Sequence, residues 1–123
     1  MTDRPAPQDG DWHDLIALDR LETGWVTPAM LGARRLAVYD TPSGIHVSLA
    51  LCNHGGADLC DGYLDRHLIE CPLHQGAFDV RDGRPLGAPA TRPMIVFPAR
   101  IRDGMVQVRM PRSPARSAPP RNP

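Results

Sequence analysis

The chain contains no lysine: all fourteen of its basic side chains are arginine, and fourteen carboxylates balance them to a formal net charge of zero. These arginines are dispersed, with no basic helix and no alternation of basic and aromatic residues, which argues against nucleic-acid binding. Aromatic residues are scarce too, two each of Trp, Tyr and Phe, set against fourteen prolines and eleven glycines in 123 residues. That balance disfavours helices and predicts one small all-β domain with many turns. No apolar run reaches the length of a membrane span or a secretory signal, so a cytoplasmic protein without a membrane anchor is expected. Cysteine numbers only three, an odd count that offers no disulfide framework once two of them are assigned as below. A reducing compartment fits that usage.

Hydrophobic patterning places the domain at residues 12–110. Residues 1–11 and 111–123 are Pro-rich, polar and aperiodic, and are expected to be disordered tails that cannot bury enough apolar surface to offset their ordering entropy. Between them, WHDLIAL, WVTPAML and RRLAVYD read as strands, and the TPSG turn at 41–44 leads into IHVSLAL. In that run Ile45, Val47, Leu49 and Leu51 alternate with His46, Ser48 and Ala50, which predicts one buried and one polar face. GYLD, HLIEC and AFDV read as short strands, and MIVFPARI and MVQVRM as a hairpin across Arg102, Asp103 and Gly104.

The strand pattern delivers the chain into the string CNHGG at 52–56, and CPLHQG follows at 71–76. Each string offers one cysteine and one histidine, Cys52 with His54 and Cys71 with His74. Structural zinc sites usually group like ligands with like, Cys-x-x-Cys in one half and His-x-x-x-His in the other. The mixed pairing suits a pair of irons bridged by two sulfides, with both thiolates on the inner iron and both imidazoles on the outer one. A zinc-stabilised binding module is the alternative from another class.

The stretch GGADLCDGYLDRHLIECPLHQGAFDVRDGRPLGAPAT, together with the four ligand positions, resembles the Rieske 2Fe-2S proteins, above all the ferredoxin components of bacterial aromatic-ring-hydroxylating dioxygenases. The resemblance implies an antiparallel β-sandwich with a small inserted cluster-binding subdomain, one Rieske-type 2Fe-2S cluster on Cys52, His54, Cys71 and His74, and no catalysis by this chain alone. It further implies a one-electron carrier with two partners, an NAD(P)H-dependent flavoprotein reductase and a terminal Rieske non-haem iron oxygenase. A Rieske-like small subunit of an assimilatory nitrite reductase is a second alternative. Respiratory members of the family carry an extra cysteine in each cluster loop and a serine two residues past the second histidine. Ala57, Leu73 and Gly76 occupy those places here, so the resemblance implies a low-potential centre, near about −150 mV.

The remaining chemistry-bearing residues have plainer expectations. Gly55, Gly56 and Gly76 would let backbone N–H groups approach sulfur, and Pro72 would fix the turn after Cys71. Cys60 reads as a buried or half-buried non-ligand, His46 as polar-face, His67 as solvated, Trp12 and Trp25 as core or core-edge, and Phe78 as packing. Charge is uneven: residues 53–80 hold Asp58, Asp61, Asp65, Glu70 and Asp79 against Arg66 alone, a net of −4, while residues 81–110 carry a net of +4. An acidic ring of Asp58, Asp61 and Asp65 around the cluster loops would serve docking, with ordinary solvated loops as the alternative reading.

Overall fold

A computed structural model describes residues 11–51, 57–72, 76–87 and 92–110. Eleven strands run in chain order: β1 (Trp12–Ala17), β2 (Val26–Leu31), β3 (Arg34–Thr41), β4 (Gly44–Leu49), β5 (Tyr63–Asp65), β6 (Leu68–Glu70), β7 (Ala77–Asp79), β8 (Pro85–Gly87), β9 (Val96–Phe97), β10 (Ala99–Arg102) and β11 (Met105–Arg109). Two 3₁₀ turns, Leu18–Arg20 and Leu59–Asp61, complete the set, and no α-helix occurs among the described residues.

The strands form three antiparallel sheets in the orders β1-β11-β10, β2-β3-β4-β9 and β5-β6-β7-β8. The first two make the sandwich, and the third is inserted between β4 and β9. Hairpin chemistry sets the local register. Asp103 and Gly104 both have positive φ, 54° and 78°, between the paired residues Arg102 and Met105, the requirement of a two-residue hairpin turn whose twist matches its strands. At the β3–β4 turn, the Thr41 hydroxyl donates to the Gly44 carbonyl at 2.7 Å.

The middle sheet is buried on both faces, which the alternation in β4 did not foretell. Leu36, Val38 and Val47 pack with Val106 and Val108 of β11, with Ala29 and with Phe97. Ala37, Tyr39 and Ala50 join Ala57, Leu59, Ile69, Cys71, Phe78, Val80 and Met94 in a second core that belongs mostly to the insert. The polar face of β4 is therefore covered: Ser48 is fully buried and shares a 2.8 Å hydrogen bond with the Tyr39 hydroxyl. Leu51, expected on the buried face, lies past the end of β4 and is 63% exposed.

Two further expectations need correction, and one strand was not expected. MIVFPARI is two strands, since Pro98 cannot donate a ladder hydrogen bond and the chain changes sheet there, from β9 beside β4 to β10 beside β11. Strand β8, Pro-Leu-Gly, has no alternation to betray it. Trp25 is 62% exposed and does not pack in a core. Trp12 is half-buried, with the Arg100 and Arg109 guanidinium carbons 4.2 and 5.2 Å from its ring centroid.

Candidate metal centre

The first ligand string leaves β4 at a cross-linked base. The Ala50 N–H donates to the Arg35 carbonyl at 3.1 Å, the Leu59 N–H donates to the Ala50 carbonyl at 2.7 Å, and Leu51 pairs with Asp58 as an isolated antiparallel bridge. Asp58 uses both carboxylate oxygens: Oδ1 accepts from the Cys60 N–H at 2.9 Å, capping the 3₁₀ turn, and Oδ2 accepts from Arg35 Nε at 2.8 Å. Burial opposes ionisation of Asp58, but the Cys60 N–H and the Arg35 guanidinium outweigh it and hold the carboxyl below its ordinary range. Asp58 is therefore tied to Arg35 and is not part of a free acidic ring, a pairing that no local pattern in the sequence could show.

The second string leaves β6 at Cys71, which is 1% exposed and not in a disulfide. Its N–H donates to the Gly76 carbonyl at 3.0 Å, and Gly76 has φ of +116°, a conformation suited to glycine. Chain direction thus reverses between Cys71 and Ala77. Ala50 and Ala57, which flank the first string, share one buried core with Cys71 and Phe78. The bases of the two ligand strings are brought to one place by that core.

Of the four expected ligands, Cys71 is placed by the structure. Cys52, His54 and His74 lie outside the described residues, as do Asn53, Gly55, Gly56, Leu73 and Gln75. What is described fits an iron–sulfur group: the shielded Cys71 thiol shares one core with Ala50 and Ala57, which flank the string holding Cys52 and His54. Cys60 is half-buried, and burial, followed by the Asp58 charge, pushes its thiol up to about 12. A thiol so reluctant to ionise is a poor metal ligand.

A second polar frame braces the far side of the insert. Asp79 is 3% exposed and accepts from the Arg81 backbone N–H at 2.9 Å, from Arg81 Nε at 3.0 Å and Nη2 at 2.8 Å, and from Arg84 Nη2 at 3.1 Å. The Arg81 side chain, acting against burial, holds its carboxyl far below the usual range. Gly83, with φ of +84°, donates to the Asp79 carbonyl and accepts from the Met94 N–H; a Cβ there would strike the Met94 carbonyl.

His67 is not simply solvated. Its Nε2 lies 3.0 Å from Ser43 Oγ, which is in turn 2.9 Å from Nε2 of His46, so a serine in the β3–β4 turn joins the sandwich to the insert. Burial, with the neighbouring His67 and Arg81, lowers the His46 pKa against the pull of Asp79. On the outer face of β5 and β6, Asp65 and Glu70 are exposed, as is Asp61 just before β5, and Tyr63 is 74% exposed.

Comparison with known proteins decides what this frame is for. The Rieske [2Fe-2S] domain family matches residues 11–98, most of the chain. The chain belongs to that family. This Rieske protein carries one Rieske-type 2Fe-2S cluster. It is 40% identical over 98 residues to the anthranilate 1,2-dioxygenase ferredoxin subunit of Burkholderia cepacia, covering 80% of this chain and 91% of that one. Among solved structures, the ferredoxin of Sphingomonas yanoikuyae B1 superposes with a TM-score of 0.76 at 33% identity, covering 82% of this chain and all of that one. The carbazole 1,9a-dioxygenase complex of reduced oxygenase and oxidised ferredoxin gives a TM-score of 0.72 at 36% identity, over 80% of this chain and 92% of that one.

Proposed function

We propose that this Rieske protein is the one-electron carrier of an aromatic-compound dioxygenase system, taking electrons from an NAD(P)H-dependent flavoprotein reductase and delivering them to a terminal Rieske non-haem iron oxygenase. Cys52 and Cys71 hold the inner iron, and His54 and His74 the outer one. The observation that carries the reading is the buried Cys71 thiol, packed in one core with the residues flanking the Cys52–His54 string. When bound, the cluster supplies a site that gains and loses one electron at a potential raised by imidazole ligation. The residues of the chain contribute a hydrogen-bonded base at each ligand string and an apolar core, with Phe78 and Ile69, that encloses Cys71.

The relatives described above are dioxygenase ferredoxins, which favours this reading over a nitrite reductase small subunit. No helix among the described residues is long and apolar enough to cross a membrane; a cytoplasmic location and a working domain at 12–110 belong to the proposal. Iron and acid-labile sulfide assays test the ligand set. Cys52→Ser, His54→Ala, Cys71→Ser and His74→Ala are each expected to lose the intact cluster while Cys60→Ser keeps it, and a normally loaded His54→Ala protein would overturn the assignment. Turnover reconstituted with purified reductase and oxygenase tests the carrier role.

A further inference from the structure

We infer that the Arg35–Asp58 ion pair at the base of the first ligand string is a compensating charge pair, each partner biasing the one-electron reduction of the bound cluster in the opposite direction. The inference rests on the proposed ligation by Cys52 and His54. Asp58 follows His54 by four residues and forms the bridge to Leu51, which immediately precedes Cys52. Its carboxylate thus stands at the cross-link where the string enters and leaves. Arg35 grips both sides of that base: its carbonyl accepts from Ala50 on the incoming side at 3.1 Å, and its guanidinium bonds Asp58 on the outgoing side at 2.8 Å.

The two charges of the pair differ in setting. The Asp58 side chain is 31% exposed and that of Arg35 47%, and the pair borders a cleft lined by Leu49, Ala50 and Leu51 and by a further exposed cation, Arg34. Water screens one side of the pair, and an apolar wall limits it on the other. The neighbouring Cys60 side chain is a neutral thiol. An added electron makes the site more negative, so an uncompensated Asp58 carboxylate opposes reduction and an uncompensated Arg35 guanidinium favours it. Their pairing leaves the potential set by the ligands.

Potentiometric titration followed by visible circular dichroism, on the loaded protein at low and high salt, tests this. Arg35→Gln is expected to lower the potential and Asp58→Asn to raise it, each by at least about twofold in the reduction constant, or about 18 mV at 59 mV per tenfold change. The Arg35→Gln/Asp58→Asn double variant should return to within that margin of wild type, and Arg35→Lys, which keeps the charge, should stay there as well. A merely structural cross-link would send both single variants in one direction, and that result, or no shift in either, overturns the inference. Should Asp58→Asn fail to retain iron, the contrast between Arg35→Gln and Arg35→Lys decides: equal potentials overturn the inference, and a lowered value in Arg35→Gln alone upholds it. Iron and sulfide on the same samples keep the two readings apart. A loaded wild type with same-direction shifts overturns this inference alone, whereas a wild type without 2Fe-2S stoichiometry overturns both.

Discussion

Replacing Asp79 with asparagine probes how firmly the insert is braced. The substitution keeps the shape, removes the charge, and turns one of two acceptor oxygens into an NH₂ group facing guanidinium donors. Four hydrogen bonds converge on the carboxylate, three of them from arginine side chains. Bonds to charged groups contribute about 1.5–3 kcal/mol each when shielded. The Asp79 side chain is 4% exposed, but those of Arg81 and Arg84 are 49% and 59% exposed, so both guanidinia can rehydrate. Asparagine also escapes the cost of burying a charge, and the net loss is expected at about 2 kcal/mol, between a surface pair and a broken buried one. For a domain near 100 residues that is a fall in Tm of roughly 10 °C.

The pH dependence supplies the sign. Asp79 has a depressed pKa in the folded state, so its contribution is complete above the unfolded carboxyl value, about 3.9, and is lost as pH falls toward the folded one. The advantage of wild type over Asp79→Asn should be constant from pH 7 to 5 and shrink only below about pH 4. Thermal melts by far-UV circular dichroism, with visible absorbance reporting the cluster, would measure both. A difference at pH 7 below about 0.5 kcal/mol, the scale of an exposed ion pair, would refute the reasoning.

The half-buried His46 has a lowered pKa, so the folded state favours its neutral form, and the associated stability is full above the unfolded value of about 6.5 and declines as pH falls below it. His46→Gln should flatten the loss of Tm between pH 8 and pH 5; an unchanged slope would count against the assignment. Charge reversal at Asp61 or Asp65, both exposed, should slow second-order electron transfer by about threefold to tenfold at low ionic strength, fading as salt screens it. Stopped-flow reduction across a salt series would show this, and rates indifferent to salt and charge would leave that face without a docking role.

Local chemistry made much of the fold legible. The Asp103-Gly104 hairpin follows from a dipeptide suited to positive φ, and the Rieske frame from two strings that mix thiolate with imidazole. What escaped was long-range. Period two in β4 shows which residues share a face, but it cannot show that the insert returns over Ser48 and Ala50 to bury the second one. Pro98 inside MIVFPARI carried the signal for a strand break, yet its consequence, a change of sheet, depends on partners more than forty residues away at β4. Arg35 and Asp58 are 23 residues apart, and nothing around either marks it as paired. His67 looked solvated for the same reason, since Ser43 lies on another hairpin.

The uneven charge along the sequence takes on a different meaning once these partners are known. Of the five acidic residues between 53 and 80, Asp58 is bound to Arg35, and Asp79 is enclosed by Arg81 and Arg84. Two of the carboxylates that made the segment acidic are thus paired with arginines, Asp58 half-buried and Asp79 buried, and the basic block that follows supplies the arginines for Asp79. The opposite blocks partly cancel at Asp79. Asp61, Asp65 and Glu70 remain exposed, with Arg66 at the hairpin turn, and only such solvent-facing charges can steer a partner from a distance. Docking arguments drawn from this sequence should therefore count three carboxylates and not five. Two of those three, Asp65 and Glu70, share the outer face of β5 and β6 with the exposed Tyr63 ring, and the buried Cys71 follows Glu70 directly along the chain.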